Sequence, residues 1–134
     1  MSAKAFFDTN VLIYAVAEAD PRNRRAEALL ADGGAVSVQI LNEFVSVTRR
    51  KMRLSWKEVA DALDAIRVLC GSPLAVTMET HEAALRIAQR YRYGIYDALV
   101  AAAALQAGCT VLYSEDLQDG QIVDRQLTVR NPFK

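Results

Sequence analysis

The chain has 134 residues, 52% hydrophobic and 24% charged, a balance that excludes a disordered protein and predicts one folded domain over residues 1–134. Sixteen basic and sixteen acidic side chains cancel, so the net charge alone gives no argument for a nucleic-acid partner. The longest apolar stretch, residues 98–105, is far shorter than the roughly 20 residues of a membrane span, and no signal-like segment precedes Asp8, so we expect a cytoplasmic protein without a membrane partner.

In the first half of the chain, short β-rich runs alternate with helical periodicity. The apolar run that begins at Ala5 stops at Asp8, and the sequence Asp32-Gly33-Gly34 ends the second helix. The sequence Ser55-Trp56-Lys57-Glu58 is a capping box and marks the start of a further helix. The predicted elements are a strand at 5–7, a helix at 11–16, a helix between Pro21 and Asp32, a strand at 35–38, a helix that carries Glu43 and a helix at 55–70.

The second half of the chain continues this alternation. Thr80 is predicted to cap a helix that Gly94 breaks, and Gly108 ends the Ala-rich helix that starts at Asp97. The predicted strands cover residues 74–77, 110–113 and 127–129. Because strands separated by helices pair in parallel through right-handed crossovers, the sequence predicts an α/β fold, a three-layer α/β/α sandwich with a mainly parallel central sheet.

Four acidic residues lie where such a sheet binds ligands, beyond the carboxyl ends of its strands. Asp8 ends the first strand, and Asp116 follows the strand at 110–113. Asp97 opens the Ala-rich helix, and Glu43 lies early in the helix after the second strand. Like charges about 4 Å apart repel by roughly 4 kcal/mol at an effective dielectric near 20, so converging carboxylates need protons, basic partners or a cation. Mg²⁺ or Mn²⁺ is the economical answer, because carboxylates bind these ions and the ions activate water in nucleases.

Each of these acids also has a purely structural interpretation. Asp97 fits a helix cap, Asp116 and Asp119 lie in a turn-rich loop, and Glu43 fits a solvated helix position. Asp8 fits an Asx-type turn, although its place at the end of an apolar strand favours a functional role over a purely structural turn. Only the combination of the acids favours a functional site.

The order and spacing of these motifs resemble the PIN-domain ribonucleases, and within them the VapC-type toxins of bacterial and archaeal toxin–antitoxin pairs. The similarity spans nearly the whole chain. Its main segments are Phe7-Asp8-Thr9-Asn10-Val11-Leu12, Asn42-Glu43-Phe44, Tyr96-Asp97-Ala98-Leu99 and Tyr113-Ser114-Glu115-Asp116-Leu117. Asp119-Gly120-Gln121 and Asn131-Pro132-Phe133 resemble one branch of these toxins.

The resemblance implies a site, a cofactor and partners. It implies that Mg²⁺ or Mn²⁺ activates water against an RNA phosphodiester, with Thr9 and Ser114 as supporting polar groups. Asp119 is a substitute or helper for the fourth acid, which varies in position in this family. The family also implies a homodimer and a cognate antitoxin, whose C-terminal segment lies in a groove between helices and reaches the acidic site. The implied metal-binding and catalytic residues are Asp8, Glu43, Asp97 and Asp116.

The basic residues form two runs, at 22–25 and at 49–53. By themselves, such runs are typical of a solvated helix face. Beside an acidic site that cleaves RNA, the second run is equally suited to hold phosphates that the acids would otherwise repel. Both interpretations stay open at the level of sequence, and so does the RNA target.

Two alternative functions are compatible with part of the pattern. A haloacid-dehalogenase-like phosphatase also places an aspartate at a strand end, but it has a second aspartate two positions later, where this chain has Asn10. That family also gives no role to the two helical acids. A non-catalytic RNA-binding or partner-binding domain of the same fold is the other alternative, and the complete acidic quartet argues against it.

Overall fold

The computed structural model describes residues 4–134, and its elements follow the predicted alternation in outline. Six helices and four strands lie within these residues. In chain order they are β1 (Ala5–Phe7), α1 (Thr9–Val16), α2 (Asn23–Ala31), α3 (Val38–Arg50), α4 (Trp56–Cys70), α5 (Met78–Tyr91), α6 (Ile95–Gln106), β2 (Val111–Tyr113), β3 (Ile122–Val123) and β4 (Leu127–Arg130).

The sheet has the order β1-β2-β4-β3 and is mainly parallel, which confirms the predicted fold class. Only the β3–β4 pair is antiparallel. Phe7 pairs with Tyr113 in the register of β1 and β2, so both strands end at the same level. The amide of Asp8 donates to the carbonyl of Tyr113 at 3.0 Å, and the amide of Ser114 donates to the carbonyl of Arg130 at 3.0 Å. This register places the residues after β1 and β2 at one edge of the sheet.

The predicted strands at 35–38 and 74–77 are wrong in extent, because each contributes only isolated parallel bridges. Ala35 bridges Phe6 of β1, and Ser37 bridges Leu74. The amide of Ala35 donates to the carbonyl of Ala5 at 2.8 Å, so the chain lies beside β1 for a single step. The Ser37 hydroxyl then accepts the amide of Ile40, which starts α3 and ends the extended segment.

Two helix starts and one strand also differ from the sequence predictions. Thr77, not Thr80, is the N-cap of α5, and the two threonines exchange hydrogen bonds as a capping box. Helix α6 starts at Ile95, with Gly94 as its N-cap residue, so Asp97 lies in its first turn rather than opening it. The two-residue strand β3 was not predicted, since so short a strand exists only by pairing with β4.

Both faces of the sheet are covered. Phe6 and Phe7 are both completely buried, and successive strand residues point to opposite faces, so helices pack against β1 from both sides. The Ala-rich helix α6 packs against β2 and β4 with small buried side chains, while α1 packs against β1. A Cβ atom on Gly34 would lie 2.5 Å from the Phe7 ring, so the chain needs glycine where it passes β1. None of the helices within residues 4–134 is long and apolar enough to cross a membrane.

Candidate active site

Asp8 is the most deeply buried acid of the site. It follows β1 and caps α1, its Oδ1 accepts the Thr9 amide at 2.8 Å, and its Oδ2 accepts the Ser114 hydroxyl at 2.7 Å. Only 5% of its surface is exposed. Burial raises the pKa of Asp8 to about 6, the hydrogen bonds from Ser114 and Thr9 lower it, and the charges of Asp116 and Glu43 raise it. Asp8 therefore carries a negative charge in a place that disfavours it.

Glu43 is held between two helices by neutral donors. The Thr9 hydroxyl donates to Glu43 Oε2 at 2.6 Å, which joins α1 to α3. Gln39 Nε2 donates to Glu43 Oε1 at 2.9 Å and lies 3.3 Å from the carbonyl oxygen of Tyr96, its second acceptor. Because Tyr96 precedes Asp97, Gln39 links the acid of α3 to the acid-bearing first turn of α6.

The loop after β2 brings Asp116 to the same place. The Ser114 hydroxyl, which donates to Asp8, also accepts the amide of Asp116 at 3.1 Å. Asn10 Nδ2 donates to Asp116 Oδ2 at 3.2 Å. The fully buried Ser114 thus fixes the two acids that follow β1 and β2 relative to each other. The structure gives Ser114 the supporting position that the resemblance implied.

Asp97 completes the group. Burial raises its pKa, and the nearby charges of Asp116 and Glu43 raise it further. The same two acids also act on Asp8, so Glu43 and Asp116 lie within electrostatic range of both Asp8 and Asp97. The structure therefore brings together every acid that the sequence singled out as a metal ligand.

The donor set fits a hard cation by its chemistry. All four candidates are carboxylates, and none of them forms an ion pair with a lysine or arginine in the part of the chain that the structure describes. Asp8 is buried, Glu43 is half-buried, and Asp97 and Asp116 are exposed, so these carboxylates meet at the surface, where a cation can reach them. Within residues 4–134, however, no three acids, histidines or cysteines are arranged to hold one ion as they stand.

Asp119 has a different function in the fold. Its Oδ1 accepts the amide of Asn131 at 2.8 Å, and its Oδ2 lies 3.8 Å from Lys134 Nζ. Asp119 therefore anchors the C-terminal segment, and the geometry favours Asp116 as the fourth acid.

A groove of about 520 Å³ runs from these acids along α3. Glu43 and Asp116 line one part of it, and Arg50 and Lys51 line another. Arg50 lies seven residues after Glu43, which is about 10.5 Å along the helix axis. Arg49 does not share this position: its guanidinium donates to the Leu54 carbonyl at 2.8 Å and stacks on Trp56, so the basic run divides into structural and groove-lining members.

A polar network that the sequence did not predict holds the Asp116 loop against α1. The Tyr14 hydroxyl donates a short hydrogen bond to Glu115, and Arg22 donates to the same hydroxyl at 2.6 Å. The Arg22 guanidinium also lies 3.7 Å from the centre of the Tyr14 ring and pairs with Asp20 at 2.8 Å. Burial, together with Glu115, raises the pKa of Tyr14 to about 12, so it keeps its proton and donates. Nothing in the local sequence distinguishes Arg22 from a surface arginine.

A protein-family model described as "PIN domain" matches residues 5–118. Comparison with curated protein sequences gives no match. Three solved structures are similar in fold. VapC20 of Mycobacterium tuberculosis, a sarcin-ricin loop cleaving toxin, aligns over 82% of this chain and 88% of its own, with a TM-score of 0.65 and 24% identity.

The other two structures align over nearly the whole of both chains. A toxin–antitoxin complex from Klebsiella pneumoniae matches 97% of this chain and 98% of its own, with a TM-score of 0.72 and 21% identity. VapBC2 from Rickettsia felis, bound to a DNA fragment from its promoter, matches 95% and 97%, with a TM-score of 0.63 and 17% identity. At these identities the three structures establish a shared fold.

Proposed function

This chain belongs to the PIN-domain family, as its acidic motifs indicated, and from that premise we propose that it is a divalent-metal-dependent endoribonuclease, the toxin of a toxin–antitoxin pair. The observation that carries the proposal is the convergence of four carboxylates at the carboxyl edge of the sheet. In the described residues, the side-chain hydrogen bonds to Asp8, Glu43 and Asp116 come from neutral donors, not from basic side chains. Such a site suits a hard cation and a phosphodiester substrate.

Asp8, Glu43, Asp97 and Asp116 are the residues that would hold Mg²⁺ or Mn²⁺. When bound, the ion supplies an acidified water and stabilises charge on the phosphoryl group. Asp8, with a pKa of about 6, is mainly ionised at neutral pH and is ready to bind a cation. Arg50 and Lys51, farther along the groove, bind RNA phosphates and offset the repulsion by the acids.

The toxin assignment draws on the similar structures, which are a sarcin-ricin loop cleaving toxin and proteins of toxin–antitoxin systems. A cognate antitoxin would place apolar side chains in a groove of about 190 Å³ between α1, α2 and α4, which is lined by Val16, Leu30 and Leu69 among others. A second copy of the chain would cover exposed Val76 and Tyr96, which line an apolar groove of about 660 Å³. Such a homodimer, acting on RNA in the cytoplasm, completes the proposal.

The direct test is RNA cleavage by the purified protein, freed of any antitoxin. Labelled structured RNAs are incubated with Mg²⁺ or Mn²⁺ and with wild type, Asp8→Asn or Asp97→Asn. Asp64→Asn is the matched control, because Asp64 is an exposed acid on α4 outside the groove. We expect cleavage by wild type and the control, loss of cleavage in both site variants, and retained RNA binding in all four proteins.

The outcomes separate the alternatives. Equal cleavage by wild type and by Asp8→Asn would contradict the proposal. RNA binding without cleavage by any protein under any metal would instead support a non-catalytic binding domain. Asp119→Asn adds a further check: we expect it to cleave like wild type, because its carboxylate anchors Asn131.

A further inference from the structure

A second pocket, which is basic, lies outside the acidic groove. It has a volume of about 340 Å³ and is formed by the C-terminal half of α5 and the turn between β3 and β4. Arg86, Arg90 and Arg125 line it, with Asp124 and Ile87. None of these residues lines the groove that contains Asp116. The pocket is therefore a separate feature of the surface.

The positive charge of this pocket is not neutralised by ion pairs. Arg86, Arg90 and Arg125 have no carboxylate within 4.0 Å in the described chain. The one acid of the pocket, Asp124, has its Oδ1 at 3.4 Å from the Tyr91 hydroxyl instead. Arg86 and Arg90 lie four residues apart on α5, a spacing at which like charges repel and destabilise a helix. In the described chain, three guanidinium groups therefore share this pocket with a single carboxylate, that of Asp124, and none of them forms an ion pair with it.

Arg125 has a backbone conformation that arginine disfavours. The amide of Gln126 donates to the carbonyl of Val123 at 3.1 Å and closes a turn whose central residues, Asp124 and Arg125, have φ of 50° and 59°. Glycine and asparagine are the usual residues in turns with two positive φ angles, because a Cβ atom is unfavourable there. The Tyr91 hydroxyl accepts the amide of Asp124 at 2.8 Å and fixes this turn against α5.

Arg53 and Arg92 also have positive φ, of 55° and 59°, and what distinguishes Arg125 is that its side chain lines the pocket beside Arg86 and Arg90. Strained residues persist where the surrounding structure holds them and where they serve function. The positive φ of Arg125 makes the folded turn less stable than it would be with glycine at this position. The Arg125 side chain adds a third positive charge to a pocket that already contains two. Packing gives no reason for this choice, because Arg125 is exposed.

We propose that this pocket binds a backbone phosphate of the RNA, outside the catalytic groove. Guanidinium groups present a fork of donors that matches phosphate oxygens, and three of them surround one cavity. The inference rests on the proposed ribonuclease function and adds a selection step to it. An RNA that reaches both the groove and the pocket binds more tightly than a short RNA that fills only the groove.

Binding is measured by fluorescence anisotropy in the Asp8→Asn background, so that affinity is read independently of cleavage. The probes are a labelled RNA stem-loop, a short single-stranded RNA and a DNA duplex. The first variant, Arg125→Gly, removes the side chain and relieves the turn. Its matched control is Arg92→Gly, because Arg92 also has φ of 59° and lies outside the pocket. A second variant combines Arg86→Gln and Arg90→Gln.

We expect Arg125→Gly to weaken stem-loop binding by about 3- to 10-fold and to lower the slope of log affinity against log salt by about 0.7 to 0.9 for one lost phosphate contact. Its melting temperature should rise, since glycine suits the turn. The combined α5 variant should weaken stem-loop binding further. Arg92→Gly should gain stability in the same way without losing affinity, and the short RNA should bind all variants equally.

Unchanged stem-loop affinity and salt slope in Arg125→Gly and in the α5 variant would overturn the inference and leave the ribonuclease proposal standing. Loss of affinity for the DNA duplex but not for the RNA would also overturn it, since the pocket would then serve DNA. If the Asp8→Asn parent binds no RNA at all, both proposals fail together. Equal losses in Arg125→Gly and Arg92→Gly would mean that general surface charge, not this pocket, binds the RNA.

Discussion

Replacement of Asp8 by asparagine should stabilise the metal-free protein while it abolishes cleavage. Burial raises the pKa of Asp8 from 3.8 to about 6, so the folded state holds a proton there more tightly than the unfolded state does. A shift of this size corresponds to about 3 kcal/mol, which folding loses when the carboxyl ionises. Asp8→Asn removes that penalty, because its side chain has no charge and almost the same size.

The sign of the pH dependence follows from the direction of the shift. Below pH 3.8, Asp8 is protonated in both states and contributes no penalty. Between pH 3.8 and about 6 the folded state binds more protons than the unfolded state, so this group makes the protein less stable as the pH rises. Above pH 6 the full penalty is present. The advantage of Asp8→Asn should therefore be only about 0.5 kcal/mol at pH 4 and reach about 2 to 3 kcal/mol at pH 8.

Urea denaturation in EDTA at several pH values measures this difference directly. Asp64→Asn controls for the loss of one negative charge at an exposed position. Addition of Mg²⁺ or Mn²⁺ should raise the stability of wild type at pH 8 and have little effect on Asp8→Asn. Two results would contradict the predicted destabilisation by the Asp8 carboxylate. One is a stability difference that does not change with pH, and the other is an Asp8→Asn variant that is less stable than wild type at pH 8.

Three other substitutions test the fold and the site. Thr9→Val removes the hydroxyl that donates to Glu43 at 2.6 Å. We expect the cleavage rate to fall about 10- to 100-fold, because one hydrogen bond to a charged group is lost. The circular dichroism spectrum should change little. Gly34→Ala places a Cβ atom against the Phe7 ring, and urea titration should show a loss of about 1 to 3 kcal/mol. Ser55→Ala removes the N-cap of α4 and should cost about 1 kcal/mol by the same titration, with cleavage unaffected.

The parts of the fold that the sequence predicted correctly are those with local causes. Ser55 and Glu58 form both hydrogen bonds of the capping box, because the two partners are three residues apart. Strand β1 is a short apolar run that ends at Phe7, because the next residue, Asp8, is polar and caps helix α1. The errors have non-local or ambiguous causes. Residues 35–38 have strand propensity, but Ser37 starts a helix before a second pairing step can form.

The sequence predicted that the four acids would lie near one another, but it did not predict their hydrogen-bond partners. Asp8 and Asp116 follow strands whose register could be inferred from the α/β order. Gln39 and Asn10 reach the acids only because of the angles at which α1, α3 and α6 pack, which no sequence pattern specifies. The same applies to Arg49, whose stacking on Trp56 separates it from neighbouring Arg50.

The division between neutral and basic groups would allow one groove to bind both a cation and a polyanion, as the proposed function requires. A lysine or arginine beside Asp8 would lower its pKa and compete with a metal ion for the same carboxylate. Thr9 and Ser114 instead orient the acids by hydrogen bonds, which lower the pKa of Asp8 only in part, so burial still raises it to about 6. The backbone of Arg50 lies about 10.5 Å farther along the axis of α3 than that of Glu43, and its side chain lines the other part of the groove. At that distance salt in the solvent screens much of the effect of the basic groups on the exposed part of the site, so they can attract RNA phosphates without displacing the cation.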